Sequence, residues 1–299
     1  MNRTTHGLGW TLCWLLVATT AAAEEAKPAD TNAAKHTLRY KFEPGQSLRW
    51  EVTHQAKIKT TVSGTTQTAE TTSVSVKLWR VKEVKPDGSA TFEHVVESVD
   101  MGQKLTGRQE VRYNSKSDKK APLGFENVAD SVGQVLSVVT LDTKGKILQR
   151  KRNQYRAAMD SEGPMTLPLP EGPVAVGDTW SLPAEIDVPL AGGTVKKVKT
   201  EQKFALKGVS NGVATIEVVT HILTPIHDPM VEAMLIQREA SGTVRFDIDA
   251  GRVLGQQMDL DKNVVGFRGE ASSLHYLTRF TEEFLPEGTK TASRPAEAK

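Results

Sequence analysis

Residues 47–62, SLRWEVTHQAKIKTTV, alternate between two kinds of side chain. Leu48, Trp50, Val52, His54, Ala56, Ile58, Thr60 and Val62 fall on one face. Ser47, Arg49, Glu51, Thr53, Gln55, Lys57, Lys59 and Thr61 fall on the other. Side chains of a strand change face at every residue, so this period predicts a long antiparallel strand with one half-buried face. Ser63-Gly64 marks the turn that follows. A second strand reads TTSVSVKLWRVKEV (71–84). Its apolar residues run Val74, Val76, Leu78 and then move to Trp79 and Val81. Such a slip of phase predicts a bulge, or a strand that bends across a corner.

Hairpins continue the pattern. Pro86-Asp87-Gly88 closes one before SATFEHVVESV, and Asn211-Gly212 closes another between VKTEQKFALKGV and VATIEVVTHIL. Asp-Gly and Asn-Gly suit hairpin turns because they tolerate positive φ. Three pairs of segments recur in the same order: PGQSLRW (44–50) with VGDTWSL (176–182), VKPDGSATFEHVV (84–96) with VSNGVATIEVVT (209–220), and TLDTKGKILQ (140–149) with FDIDAGRVLGQ (246–256). The order predicts an internal duplication. Helix is scarce: Asp228-Pro229 opens one candidate, and FENVADSV (125–132) supplies another, with Phe125, Val128 and Val132 on one face.

The expected fold is all-β and antiparallel: two similar hairpin-rich halves forming a curved sheet, a half-barrel or a sandwich, with one or two short helices. The expected divisions are a signal peptide over 1–23, a disordered leader over 24–36, a first β half over 37–152, a connector over 153–178, a second β half over 179–286, and a disordered tail over 287–299. The proline-rich run GPMTLPLPEGPVAVGD (163–178) suits an extended connector.

Arg3, the apolar run GLGWTLCWLLVATT (7–20) and Ala21-Ala22-Ala23 have the layout of a secretory signal cleaved near Ala23. The chain is then expected to be periplasmic or secreted, with no transmembrane segment after cleavage. Cys13 is the single cysteine and lies inside this segment, so thiol catalysis and cysteine-ligated metal are excluded from the mature chain. The formal charge is +2; residues 1–23 carry only Arg3, and +2 less +1 leaves +1. A near-neutral chain has no electrostatic reason to seek nucleic acid. The basic run KGKILQRKRNQYR (144–156) reads as a strand end and linker.

The signal-like start, PGQSLRW, LPEGPVAVGDTW (169–180) and GTVRFDIDAGRVLG (242–255) together resemble a family of uncharacterised exported bacterial β-rich proteins across most of residues 37–286. The hairpin pattern is similar, in topology alone, to the curved sheets of periplasmic lipoprotein carriers. The resemblance implies a secreted or periplasmic β-rich protein whose function it does not specify.

No catalytic motif fits its surroundings. GVSNG (208–212) matches G-x-S-x-G, but a strand follows it where a hydrolase needs a helix. Ser117-Asp118-Lys119-Lys120 matches S-x-x-K in a polar loop without companion motifs. His221 and His227-Asp228 have no familiar metal spacing. Asp247/Asp249 and Asp259/Asp261 read as solvated strand faces. No dinucleotide or phosphate loop is present, and no cofactor is expected. His54 and His94 stand on otherwise apolar faces, and with Trp50 they are the candidate ligand-binding residues. Three functions remain open: a non-enzymatic exported carrier of an apolar or lipid ligand, on a wall of Trp50, Val52, Ile58, Val74, Phe92 and Phe204; a structural or protein-interaction module of the cell envelope; and a hydrolase whose site is scattered over loops.

Overall fold

In the computed structural model, which describes residues 34–153, 165–190 and 193–288, β1 (Ser47–Val62) pairs along its length on both sides. The first half continues with β2 (Thr65–Val84), β3 (Ala90–Leu105), β4 (Val111–Asn114), α1 (Glu126–Ser131), β5 (Val135–Leu141) and β6 (Ile147–Arg152). The second half comprises β7 (Thr179–Pro189), β8 (Val195–Ser210), β9 (Val213–Ile222), α2 (Pro229–Leu235), a 3-10 turn at Ile236–Glu239, β10 (Ser241–Asp247), β11 (Arg252–Val265) and β12 (Ser273–Leu285). The strands form one 12-stranded antiparallel sheet in the order β6-β5-β3-β2-β1-β12-β11-β10-β9-β8-β7, with β4 beside β3. The fold is all-β, as the alternation predicts, with two short helices among the described residues.

The sheet curls around residues 38–42. The Tyr40 N–H donates to the Thr143 carbonyl in the β5–β6 turn at 2.7 Å, and the next residue's, Lys41, donates to the Gly251 carbonyl in the β10–β11 turn at 3.0 Å. Five strand spacings separate β5 from β11, roughly 24 Å in a flat sheet. Two adjacent residues reach about 7 Å. Both turns meet one dipeptide only if the sheet bends, with the Trp50 face concave. Tyr40 packs edge-on to Phe246, and Phe42 stacks on Phe92, so the same segment joins the cores of both halves.

The duplication is visible residue by residue. Val81 faces Phe92 and Glu83 faces Thr91, so Lys82 is a one-residue bulge; Leu206 faces Ile216 and Gly208 faces Thr215, so Lys207 is its counterpart. Leu141 faces Ile147 across one turn and Phe246 faces Val253 across the other, and the next pair is offset by one residue in both. Gly45 N–H donates to Val81 O at 3.1 Å, and Gly177 N–H donates to Leu206 O at 2.8 Å. Each bulge thus follows the residue that anchors the strand start of its own copy. β12 lies between the copies, pairing with β11 and with β1.

The slip of phase in β2 has a different cause from the one expected. Pairing with β1 runs without a shift from Ser47↔Arg80 to Val62↔Thr65. The strand is instead buried on both faces: Leu78 is 2% exposed on the convex side and Trp79 3% on the concave side. The bulges that do occur are against β3, at Glu97 and at Lys82. Val74 faces Thr53 and therefore stands on the convex face, away from the other five residues of the expected apolar wall.

Both expected helices form. The Asp228 carboxylate accepts from the Met230 N–H at 2.8 Å and caps α2, with Pro229 in its first turn. His36, placed in the leader by its sequence, exchanges backbone hydrogen bonds with Val174. The expected signal segment, most of the expected leader, residues 154–164 of the expected connector and most of the expected tail lie outside the described residues.

Candidate functional site

Cross-strand pairing sorts the concave face into rows. The lowest is closed. Trp50, Phe92 and Phe204 are 2%, 0% and 1% exposed, packed under residues 38–42 and 165–174. Trp50 meets Trp79 at 5.0 Å and Phe284 at 5.7 Å between ring centroids, and its indole N–H donates to the Val253 carbonyl at 2.9 Å. Trp50 is thus a core residue that ties β1 to β11. His94 is also in the closed base, between Trp79 on β2 and Ser137 on β5. Burial, with the Lys77 and Arg150 cations adding, holds its pKa down to about 3, so the imidazole is neutral.

Two further parts of the concave face are covered by helices. α1 lays Phe125 and Val128 on Val96, Val99, Tyr113 and Leu136. α2 and the 3-10 turn cover Ile58, Leu260, Val264 and Tyr276, and Lys262 on β11 pairs with Glu232 and Glu239 above it.

Between the closed base and the part under α2 runs a partly exposed row. Met101 on β3 faces Ser73 on β2, Ser73 faces His54 on β1, His54 faces Phe280 on β12, and Phe280 faces Met258 on β11. All five side chains are half-buried. Ser75 and Val52, also half-buried, lie one row nearer the base. The result is a shallow trough with an apolar wall from β1, β12 and β11 and a hydroxyl wall from β2. Of the three candidate residues, His54 alone stands in it. Burial lowers its pKa, and its ring lies 6.5 Å from that of Phe280.

The floor of the trough is charged. Lys77 on β2 and Glu282 on β12 meet diagonally across β1, between Trp50 and Val52, with Nζ 2.6 Å from Oε1. The second Glu282 oxygen accepts from Gln256 Nε2 at 3.1 Å. The Lys77 ammonium lies 4.7 Å from the Trp50 ring and 5.0 Å from that of Trp79. Sequence reasoning missed both residues, although the signal was present. Lys77 is in phase with Trp79 and Val81, and Glu282 is in phase with Tyr276, Phe280 and Phe284. A charge on an otherwise apolar face needs a partner.

A separate groove of about 440 Å³ lies on the convex face under the β3–β4 hairpin, lined by Glu51, Thr53, Val74, Ser98, Asp100 and Arg112 among others. The other sequence candidates remain apart. Ser210 ends β8 at the Asn211-Gly212 turn, and His221 and His227 are exposed. Asp259 pairs with Arg279, and Asp261 with His275. Among the described residues no three His, Cys, Asp or Glu side chains are grouped to hold a metal ion, and no helix is long and apolar enough to cross a membrane.

No protein-family model matches the chain, and no curated protein matches it. Solved structures with some likeness include one described as "lipid-protein interactions in lipovitellin", at 11% identity and TM-score 0.42, covering 86% of this chain and 27% of that one. DynF of the dynemicin biosynthesis pathway of Micromonospora chersina shares 6% identity at TM-score 0.22, covering 88% of this chain and 95% of its own. OpdQ of Pseudomonas aeruginosa shares 6% identity at TM-score 0.23, covering 81% and 99%. These likenesses carry no argument about function.

Proposed function

We propose that the protein is an exported binding protein that holds an apolar molecule, a lipid or an acyl chain, in the concave trough. The observation that carries this reading is the row Met101, Ser73, His54, Phe280, Met258: its apolar side chains stay half-exposed between the closed base and the part of the face that α2 covers. Two methionines and a phenylalanine at one open place suit a ligand of irregular shape, because thioether chains repack at low cost. Cleavage after residue 23 would release the mature chain, 24–299, outside the cytoplasm. Native mass spectrometry of protein purified gently from the exported pool tests the reading. Excess mass that dissociates as an apolar compound supports it; a bare polypeptide mass that stays bare after incubation with lipid extract sinks it.

A second reading, an interaction module of the envelope, draws on the convex groove. Its walls carry Glu51, Asp100, Arg112 and Thr53, a polar lining suited to a peptide more than to a hydrocarbon.

A further inference from the structure

The trough floor has hydrogen-bond donors to spare and few acceptors. An ammonium carries three N–H groups. Glu282 Oε1 takes one from Lys77, and the Trp50 and Trp79 rings offer only their faces. The Glu282 carboxylate is occupied at both oxygens, by Lys77 and by Gln256. The Lys77 side chain is 10% exposed, so water reaches it poorly. A buried donor without an acceptor is unfavourable, and a ligand oxygen placed there would be held by a charge-assisted bond.

The charge balance selects the kind of oxygen. Lys77 and Glu282 together are neutral. A carboxylate or phosphate added beside them would lie against the Glu282 carboxylate. Lys262 is engaged with Glu232 and Glu239 under α2, Arg252 stands over the Phe284 ring in the base, and Arg150 lies near His94 on the far side of β3. A ligand cation would meet Lys77. A pure hydrocarbon would leave the donors unmet.

Resting on the binding reading above, we propose that the trough takes an uncharged acyl ester or amide, with its chain along Val52, Phe280 and Met258 and its carbonyl oxygen accepting from Lys77 Nζ. Esters and amides offer the Lys77 ammonium an acceptor that brings no second negative charge beside Glu282.

The test compares methyl laurate, laurate and dodecane as competitors against N-phenylnaphthylamine bound to the purified protein. The ester is expected to bind about tenfold more tightly than dodecane, close to the value of one charge-assisted hydrogen bond, and more tightly than laurate, whose carboxylate would stand against Glu282. In the paired variant Lys77→Met/Glu282→Leu, which replaces the ion pair by apolar side chains of similar size, the preference for ester over dodecane should vanish. If dodecane or laurate matches the ester on the unmodified protein, the head-group assignment fails and apolar binding survives. If neither the fluorophore nor any competitor binds, the binding reading itself fails and this inference with it.

Discussion

Lys77 and Glu282 form an ion pair diagonally across β1, 2.6 Å from nitrogen to oxygen, with side chains only 10% and 6% exposed. The pair divides the concave face. Below it the two copies of the repeat share one closed aromatic core; above it lies the half-exposed row of His54 and Phe280, before the part that α2 covers. Buried pairs of this kind are costly to break and much less costly to replace, because a lone charge keeps its desolvation penalty while an apolar pair has none.

Glu282→Leu alone should therefore destabilise the fold by about 3–5 kcal/mol, and Lys77→Met/Glu282→Leu should lie within about 1 kcal/mol of the unmodified protein. Urea unfolding of the three proteins measures this. A single variant as stable as the parent would mean that the pair is already solvated.

His94 should weaken the protein in acid. Its folded pKa is about 3, below the ordinary 6.5. Between these values the unfolded chain binds a proton that the folded chain refuses. The stability present above pH 6.5 is thus lost as pH falls toward 3, with a limiting slope of about 1.4 kcal/mol per pH unit. The second copy has Val218 at the equivalent place, where it faces Phe204 as His94 faces Trp79. His94→Val should flatten that part of the acid limb relative to the parent. Parallel curves for the two proteins would show that His94 takes up its proton within the fold.

Two glycines with similar backbones should respond differently to alanine. Gly64 has φ +78° and open space where a Cβ would stand; Gly251 has φ +63°, and a Cβ there would come within 2.5 Å of the Lys41 nitrogen. Gly64→Ala carries conformational strain alone, about 1 kcal/mol. Gly251→Ala also pushes residues 38–42 from the clasp that holds both halves, and should cost about 3 kcal/mol or more. Thermal unfolding compares them directly, and equal losses would rule out the clasp.

The local parts of this fold were legible in the sequence. The alternation in residues 47–62 gave β1 its phase, and Asn211-Gly212 turns with φ of +50° and +75° as such a hairpin requires. Repeated glycine turns pointed to the duplication because each copy needs the same anchor. What was hidden depends on distant pairing. Nothing near β1 says that β12 lies on its other side, so Lys77 and Glu282, 205 residues apart, could not be matched. Burial of β2 on both faces placed Leu78 and Trp79 side by side and disguised Lys77 as part of a polar phase. The site was only partly legible: His54 lies in the trough, whereas Trp50 and His94, equally plausible on an apolar strand face, lie in its closed base.

A ligand in the concave trough would stand against Val52, Met258 and Phe280. Photolabelling with a diazirine-bearing alkyl ester, followed by peptide mass mapping, tests this most directly. Adducts are expected to concentrate on Val52, Met258 and Phe280 and to be suppressed by excess methyl laurate. Adducts confined to the convex groove around Val74, or spread over the surface and unaffected by competitor, would contradict it.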